Sequence, residues 1–116
     1  MGKRLHLAKR YVVEYSGYCT FNWQSIEFHD LLTALDMAVC GEAEVDYPDS
    51  FAVSKEDWTN GMDMLRRLDE LEESDRAEIE KALEALERSG TEMLAVMEKY
   101  LSESDPDHPF LEFSFF

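Results

Sequence analysis

The residues that most constrain the fold are the last seven of the sequence, Phe-Leu-Glu-Phe-Ser-Phe-Phe at positions 110–116. They hold four of the chain's seven phenylalanines. Leaving a phenylalanine in water rather than in a core forgoes roughly 1.5–3 kcal/mol. Leu111, Phe113 and Phe115 alternate with polar residues, a pattern typical of a strand with one buried face. We therefore expect a half-buried strand that is laid into the fold.

Residues 11–23 provide a partner for this strand. Aromatic and β-branched residues alternate with other types over residues 11–16 and again over 18–23. Two such runs joined by a short glycine-containing link, here Ser16-Gly17, predict a β-hairpin. We expect the strand at 110–116 to run antiparallel to residues 11–16. Residues 1–10 are basic, with a weak alternation at Leu5 and Leu7, and form either an arm or a lead-in strand.

The first of four predicted helices begins at Ser25, a residue type that caps helices well. It ends near Cys40-Gly41, since glycine suits the left-handed conformation that closes a helix. Between these limits the apolar residues recur at helical spacing, which predicts one buried face. They are Phe28, Leu31, Leu32, Leu35 and Val39.

The second helix has the clearest start in the chain. Ser54 is the predicted N-cap with Asp57 three residues later, and Val53 can pack on Trp58 as a hydrophobic staple. A third helix is predicted to start after Ser74. The glycine of Ser89-Gly90-Thr91 is predicted to close it and the threonine to cap the fourth helix. The apolar faces of these helices are Trp58, Met62, Leu65 and Leu68; Ile79, Ala82, Leu83 and Leu86; and Met93, Leu94, Met97, Tyr100 and Leu101.

These elements predict an α+β fold, in which an N-terminal hairpin and a C-terminal strand form a small antiparallel sheet covered by about four helices. The 116 residues match the commonest size of a single domain. The hydrophobic fraction of 45% is enough for one core. We therefore predict a single domain over residues 1–116.

The chain is strongly acidic, with 11 basic against 26 acidic residues and a formal net charge of -15. Four of the bases lie in residues 1–10, which contain no acid, and residues 11–54 contain no Lys or Arg. Such a field repels nucleic acid and anionic membrane surfaces and attracts cationic partners. The simpler interpretation is that excess acid keeps the protein soluble.

The segment 41–51 has the least secondary-structure pattern and is predicted to be a short edge strand or an exposed acidic loop. Its carboxylates are candidate contacts for a basic partner, because clustered exposed charge raises the association rate. A calcium site is disfavoured because the Asp-x-Asp-x-Asp-Gly order is missing. No metal ligand is therefore assigned. The predicted partner-binding residues are Glu42, Glu44, Asp46 and Asp49.

An enzymatic function has one candidate pair, Cys19 on a predicted strand and His29 at the start of the first helix. A nucleophile and its base must lie within about 3 Å, and no local sequence signature surrounds either residue. The chain also lacks the motifs of serine hydrolases, zinc proteases, phosphate loops and dinucleotide sites. No catalytic residue and no cofactor is assigned.

The sequence thus predicts a non-catalytic acidic binding or regulatory protein that engages a positively charged partner surface, of the inhibitor, accessory or nucleic-acid-mimic type. A small enzyme with a pocket near Cys19 and His29 is one alternative. A homo-oligomeric module associating through a free sheet edge is another. The sequence shows no membrane span and no secretion signal, and its two cysteines lack the CxxC spacing. We therefore expect a cytoplasmic protein with reduced thiols.

Overall fold

The fold was analysed in a computed structural model, which describes residues 4–8, 15–21, 24–41 and 50–115. The described part contains five strands, four α-helices and one 3-10 turn at Leu68–Glu70. The strands are β1 (Leu5–Ala8), β2 (Tyr15–Thr20), β3 (Val39–Gly41), β4 (Ser50–Ser54) and β5 (Phe110–Phe115). The helices are α1 (Ser25–Ala34), α2 (Lys55–Arg66), α3 (Glu73–Ala85) and α4 (Gly90–Glu103).

The five strands form one antiparallel sheet in the order β2-β1-β5-β4-β3. Leu7, Phe113 and Phe51 are register partners across its three middle strands, and all three are buried. They share one core with the apolar faces of all four helices. This arrangement confirms the predicted α+β fold with an antiparallel sheet and four helices.

The closing strand β5 is half-buried, as its alternation predicts. Leu111, Phe113 and Phe115 are at most 4% exposed, whereas Phe110 on the other face is 38% exposed. The predicted pairing with residues 11–16 is wrong, because β5 lies between β1 and β4. Position 116 lies outside the described residues.

The N-terminal hairpin is formed by β1 and β2, which pair antiparallel with Leu5 opposite Thr20. The predicted turn at Ser16-Gly17 is wrong, because both residues lie inside β2. The predicted strand residues 11–14 and 22–23 lie outside the described part. Residues 5–8 are thus an inner strand of the sheet, and the weak alternation of Leu5 and Leu7 is the pattern of its buried face.

Helix α1 ends at Ala34, whereas the sequence predicts an end near Cys40-Gly41. Asp36 has a φ of 56°, and the amides of Asp36 and Met37 donate to the carbonyls of Thr33 and Leu32. These are the two hydrogen bonds of a Schellman motif, which closes a helix and redirects the chain. Val39 therefore lies in β3. Ser25 is the first helical residue, while the N-cap is Gln24 without a side-chain cap.

Helix α2 begins as the sequence predicts. The Ser54 hydroxyl accepts the Asp57 amide at 3.1 Å. The Asp57 carboxylate accepts the amide of Ala38 at 3.1 Å, so it fastens the segment after α1 to the start of α2. Trp58 is fully buried, and its Nε1 donates to the carbonyl of Met97 in α4 at 3.1 Å.

A glycine inside α2 permits a close helix contact. A Cβ atom at Gly61 would lie 2.1 Å from Cε of Met37 and 3.5 Å from Cβ of Leu35. Glycine inside a helix costs roughly 0.5–1 kcal/mol relative to alanine. Here that cost is offset by the close approach of α2 to the segment that follows α1.

The boundary between α3 and α4 lies at different residues from those predicted. Glu87, with a φ of 57°, closes α3 instead of Gly90, and its amide donates to the carbonyl of Glu84. Ser89 rather than Thr91 caps α4, in a reciprocal capping box with Glu92. The Ser89 backbone amide and then its hydroxyl lower the pKa of the Glu92 carboxyl. This part of the stability is therefore lost as the pH falls through the folded-state pKa of Glu92.

Replacing Glu87 with glycine is expected to stabilise the protein by about 0.5–1 kcal/mol, because a left-handed L-residue costs roughly 1–2 kcal/mol and glycine's extra unfolded-state entropy returns part of it. Thermal unfolding measures the effect. The matched control is Glu80→Gly, which also removes an exposed carboxylate but sits in the middle of α3. That substitution is expected to cost about 1 kcal/mol. Shifts of the same sign would contradict the closing role of Glu87.

Candidate functional site

The carboxylates predicted to bind a partner, Glu42, Glu44, Asp46 and Asp49, all lie outside the described residues. Their role therefore stays a prediction. The segment that carries them connects β3 to β4, since Gly41 and Phe51 are register partners in these neighbouring strands.

The histidine of the predicted enzymatic pair lies in the core. His29 is 4% exposed, and its ring centroid is 4.4 Å from that of Phe51. Cys19 lies on β2 opposite His6 of β1. Cys40 lies on β3, at the other edge of the sheet. With neighbouring strands about 4.8 Å apart, the two cysteines are too distant for an internal disulfide.

Helix α3 is strongly acidic. Helix α3 has five carboxylates, all of them exposed, and only two basic residues, Arg76 and Lys81. The first helix adds Glu27 and Asp30 and has no base. The five carboxylates of α3 are Glu73, Asp75, Glu78, Glu80 and Glu84.

The five carboxylates of α3 are not neutralised by any residue that the structure describes. In the part of the chain that the structure describes, none of the five on α3 forms an ion pair. The sequence places Glu84 four residues before Arg88 and Glu78 three residues before Lys81, spacings that predict surface pairs. Neither pair forms. The negative charge of α3 is therefore not offset by an ion pair to any residue that the structure describes.

Arg88 is diverted from Glu84 by a contact with the sheet. Its Nη2 donates to the Thr20 hydroxyl at 2.6 Å, and its guanidinium carbon lies 4.6 Å from the ring centroid of Phe21. Phe21 is buried and has a φ of 57°, a conformation that bulky residues rarely adopt. The basic side chain at the end of α3 thus fixes the junction between β2 and α1.

A cleft of about 380 Å³ lies between α1 and α3, and Glu78 is the one α3 carboxylate among its lining residues. The residues that line it occupy consecutive turns of the two helices, three on α1 and four on α3. Three are alanines, and two are carboxylates on opposite walls. The lining residues are Asp30, Thr33, Ala34, Glu78, Lys81, Ala82 and Ala85.

A second cleft, of about 460 Å³, lies at the start of α4 and includes Arg66, Asp69 and Gly90. Arg66 is already bound there, to Asp63 at 2.9 Å and to Glu98 at 3.2 Å. The N-terminus of α4 is already capped by its own Ser89 and Glu92. This cleft therefore presents few unsatisfied polar groups.

Two further kinds of site would be a metal centre and a membrane-spanning helix. Among the residues that the structure describes, no three His, Cys, Asp or Glu side chains are grouped so that they could hold a metal ion. Across those residues, no helix combines the length and the apolar character that crossing a bilayer requires.

Comparisons of the chain with protein families, with curated proteins and with solved structures found no match.

The acidic charge of α3 is evident from the sequence, but the cleft between α1 and α3 was not predicted. Its spacing was visible, since Asp30 and Ala34 are four residues apart and so are Glu78 and Ala82. That spacing places each pair on one side of its helix. It does not show that the two sides face each other, which depends on how α1 packs against α3.

Proposed function

We propose that this protein is a non-catalytic acidic binding or regulatory protein that engages a positively charged surface of a partner. The observation that carries the proposal is the set of five exposed carboxylates on α3, which form no ion pair with the residues that the structure describes. The negative field of these carboxylates steers a cationic partner toward α3 and raises the association rate of that partner. The first helix adds Asp30, which lines the cleft between α1 and α3.

Glu73 and Asp75 lie in the first turn of α3, where negative charge stabilises a helix, but the later carboxylates have no such role. Glu80 and Glu84 are like charges four residues apart, an arrangement that destabilises a helix by a few tenths of a kcal/mol. The base that would offset them, Arg88, is bound to Thr20 instead. Solubility alone needs net charge but no particular location for it. Three of the five, Glu73, Glu80 and Glu84, lie on one side of α3, and this local concentration supports a binding role.

The carboxylates of residues 42–49 belong to the same proposal as a second contact segment. A partner that binds both α3 and residues 42–49 would present a basic groove. It would be a protein that this chain inhibits, a protein that it assists as an accessory factor, or a protein that otherwise binds nucleic acid. A cytoplasmic location agrees with two thiols placed on opposite edges of the sheet.

The test is affinity capture from native lysate at low and at moderate salt, followed by binding kinetics with the purified partner. We expect the association rate to fall steeply with salt, because screening weakens exposed charges. Changing Glu73, Glu80 and Glu84 to glutamine is expected to slow association at low salt roughly tenfold or more.

The matched control changes three exposed carboxylates elsewhere, Glu56, Asp107 and Glu112, to their amides. This control changes the net charge by the same amount but leaves α3 intact. Its effect on the logarithm of the association rate is expected to be at most about a third of that of the α3 variant, because its charges are distant from the interface. A partner whose affinity is independent of salt and of both triple variants would refute the proposed function. A separate set, with Glu42, Glu44, Asp46 and Asp49 changed to amides, measures the contribution of the loop.

A further inference from the structure

We propose that His108 is a proton-sensitive cap on the first residue of β5, and that its protonation exchanges one backbone hydrogen bond for another. The ring nitrogen Nδ1 lies 3.1 Å from the amide nitrogen of Phe110 and 3.2 Å from the carbonyl oxygen of the same residue. The amide is a donor and the carbonyl is an acceptor, so the protonation of Nδ1 decides which of the two bonds forms. This device is independent of the proposed binding function.

The neutral imidazole accepts a hydrogen bond. The Phe110 amide donates to Nδ1, so Nδ1 carries no proton, and the proton of the neutral ring is on Nε2. A protonated imidazole has a donor at both nitrogens and accepts nothing. The amide then loses its acceptor, while Nδ1 can donate to the Phe110 carbonyl at a distance already within hydrogen-bond range. Histidine undergoes this change of charge between about pH 5 and 8.

The backbone of Phe110 needs a side chain as its partner because of where the residue lies in the sheet. The Pro109 carbonyl accepts the Lys55 amide at 2.9 Å, so the backbone groups of residue 109 point toward β4. Those of the next residue point the opposite way, toward the side of β1. The last described register pair of β1 with β5 is Ala8 with Glu112, two residues beyond Phe110. Among the described residues, the imidazole therefore occupies the place of a strand neighbour.

The loop before β5 holds the ring beside both groups. The Asp105 carboxylate accepts the Asp107 amide at 3.0 Å, and the Asp105 carbonyl accepts the His108 amide at 3.2 Å. The Lys55 ammonium donates to that same carbonyl and fastens the loop to α2. The ring of His108 also packs edge-on against that of Phe110, with centroids 6.3 Å apart. None of these contacts uses Nδ1, so they persist in both protonation states.

The elements around the loop are mostly acidic. Protonation of the imidazole therefore adds a second positive charge, beside that of Lys55, among carboxylates of the loop, of α4 and of β5. The described residues of β4 carry no charge. The charged groups are Asp105, Asp107, Lys55, Glu103 and Glu112.

The response is confined to the beginning of the strand. Leu111, the next residue, is fully buried and is the register partner of Val53 in β4. Phe110 itself is 38% exposed. Protons therefore change the backbone bonding of an exposed aromatic residue while the core half of β5 keeps its place.

The experiment is NMR spectroscopy of the whole protein labelled with nitrogen-15, at about pH 8 and at about pH 5, the limits of the histidine transition. At the higher pH we expect a nitrogen–nitrogen coupling across the hydrogen bond from the Phe110 amide to Nδ1 of His108, with the ring proton on Nε2. At the lower pH we expect no coupling and a proton on Nδ1. The Phe110 amide shift is expected to titrate together with the ring.

Two variants separate the cap from other effects of pH. His108→Asn keeps a side-chain acceptor for the amide two residues later but does not titrate, so the Phe110 amide is expected to stay bonded at both pH values. His108→Ala removes the acceptor. At the higher pH it is expected to lower the hydrogen-exchange protection of the Phe110 amide about threefold to tenfold relative to the unchanged protein, as for loss of one hydrogen bond.

The unchanged protein alone can refute the proposal. A proton on Nδ1 at the higher pH, or a Phe110 amide whose shift does not follow the ring, would overturn it. So would the same titration of that amide in the His108→Asn variant, because the response would then come from another group.

Discussion

Deleting residues 1–8 is expected to abolish cooperative folding. These residues contain β1, which lies between β2 and β5 inside the sheet. Leu5 and Leu7 are fully buried, and the Tyr100 hydroxyl donates to the Leu5 carbonyl at 3.1 Å. Losing one buried leucine side chain typically costs about 2–5 kcal/mol. Two such losses approach the whole stability of a typical domain, roughly 5–15 kcal/mol.

The deletion also leaves backbone groups of two neighbouring strands without their partners. Every register pair of β1, from Leu5 with Phe115 to Ala8 with Glu112, is removed at once. Buried backbone groups without hydrogen bonds add roughly 1–3 kcal/mol each. We therefore expect a chain without a cooperative thermal transition and without dispersed amide signals in its NMR spectrum.

The matched control deletes residues 1–3 and leaves β1 in place. It is expected to keep a cooperative transition. If the longer deletion unfolded with the same midpoint as the shorter one, residues 1–8 would be an arm, and the position of β1 in the sheet would be wrong. The experiment thus decides between the two interpretations that the sequence leaves open for residues 1–10.

The features predicted correctly depend on residues close together in the sequence. The Ser54 cap and the Trp58 face need only one turn of helix, and the burial of Leu111, Phe113 and Phe115 needs only their alternation. Local hydrogen bonds and side-chain periodicity determine such features before any tertiary contact forms.

The pairing of strands could not be predicted in the same way. The hairpin was predicted over residues 11–23 because the alternation is strongest there. The inner strand β1 has only a weak alternation, at Leu5 and Leu7. Its partner β5 lies at the other end of the sequence. An alternating pattern shows which residues face the core but not which strand lies beside them.

The early end of α1 illustrates a conflict between periodicity and backbone conformation. Val39 continues the helical spacing of Leu31 and Leu35, yet the left-handed Asp36 closes the helix. Asp is among the few residues other than glycine that adopt this conformation at moderate cost. Asp36 closes α1 because its neighbours Leu35 and Met37 pack beside Gly61 of α2, and this packing is a tertiary contact.

Replacing Phe113 with alanine is expected to lower the free energy of unfolding by about 3–5 kcal/mol. Phe113 is 1% exposed on the inner strand β5. Its ring centroid lies 5.4 Å from that of Phe51, 5.2 Å from Trp58 and 5.3 Å from Tyr100. These partners belong to β4, α2 and α4, so one ring joins the sheet to two helices. Aromatic pairs add roughly 0.5–1.5 kcal/mol beyond burial, which places the cost toward the upper limit.

Chemical denaturation monitored by tryptophan fluorescence measures this loss, since Trp58 contacts the substituted ring. The matched control is Phe110→Ala on the same strand, where the side chain is 38% exposed and faces away from the helices. It is expected to cost less than about 1 kcal/mol, as surface substitutions do. Because the two changes remove the same atoms three residues apart, their difference isolates burial from strand propensity. Equal losses would show that β5 has no inner and outer face, and the arrangement of helices on one side of the sheet would then be wrong.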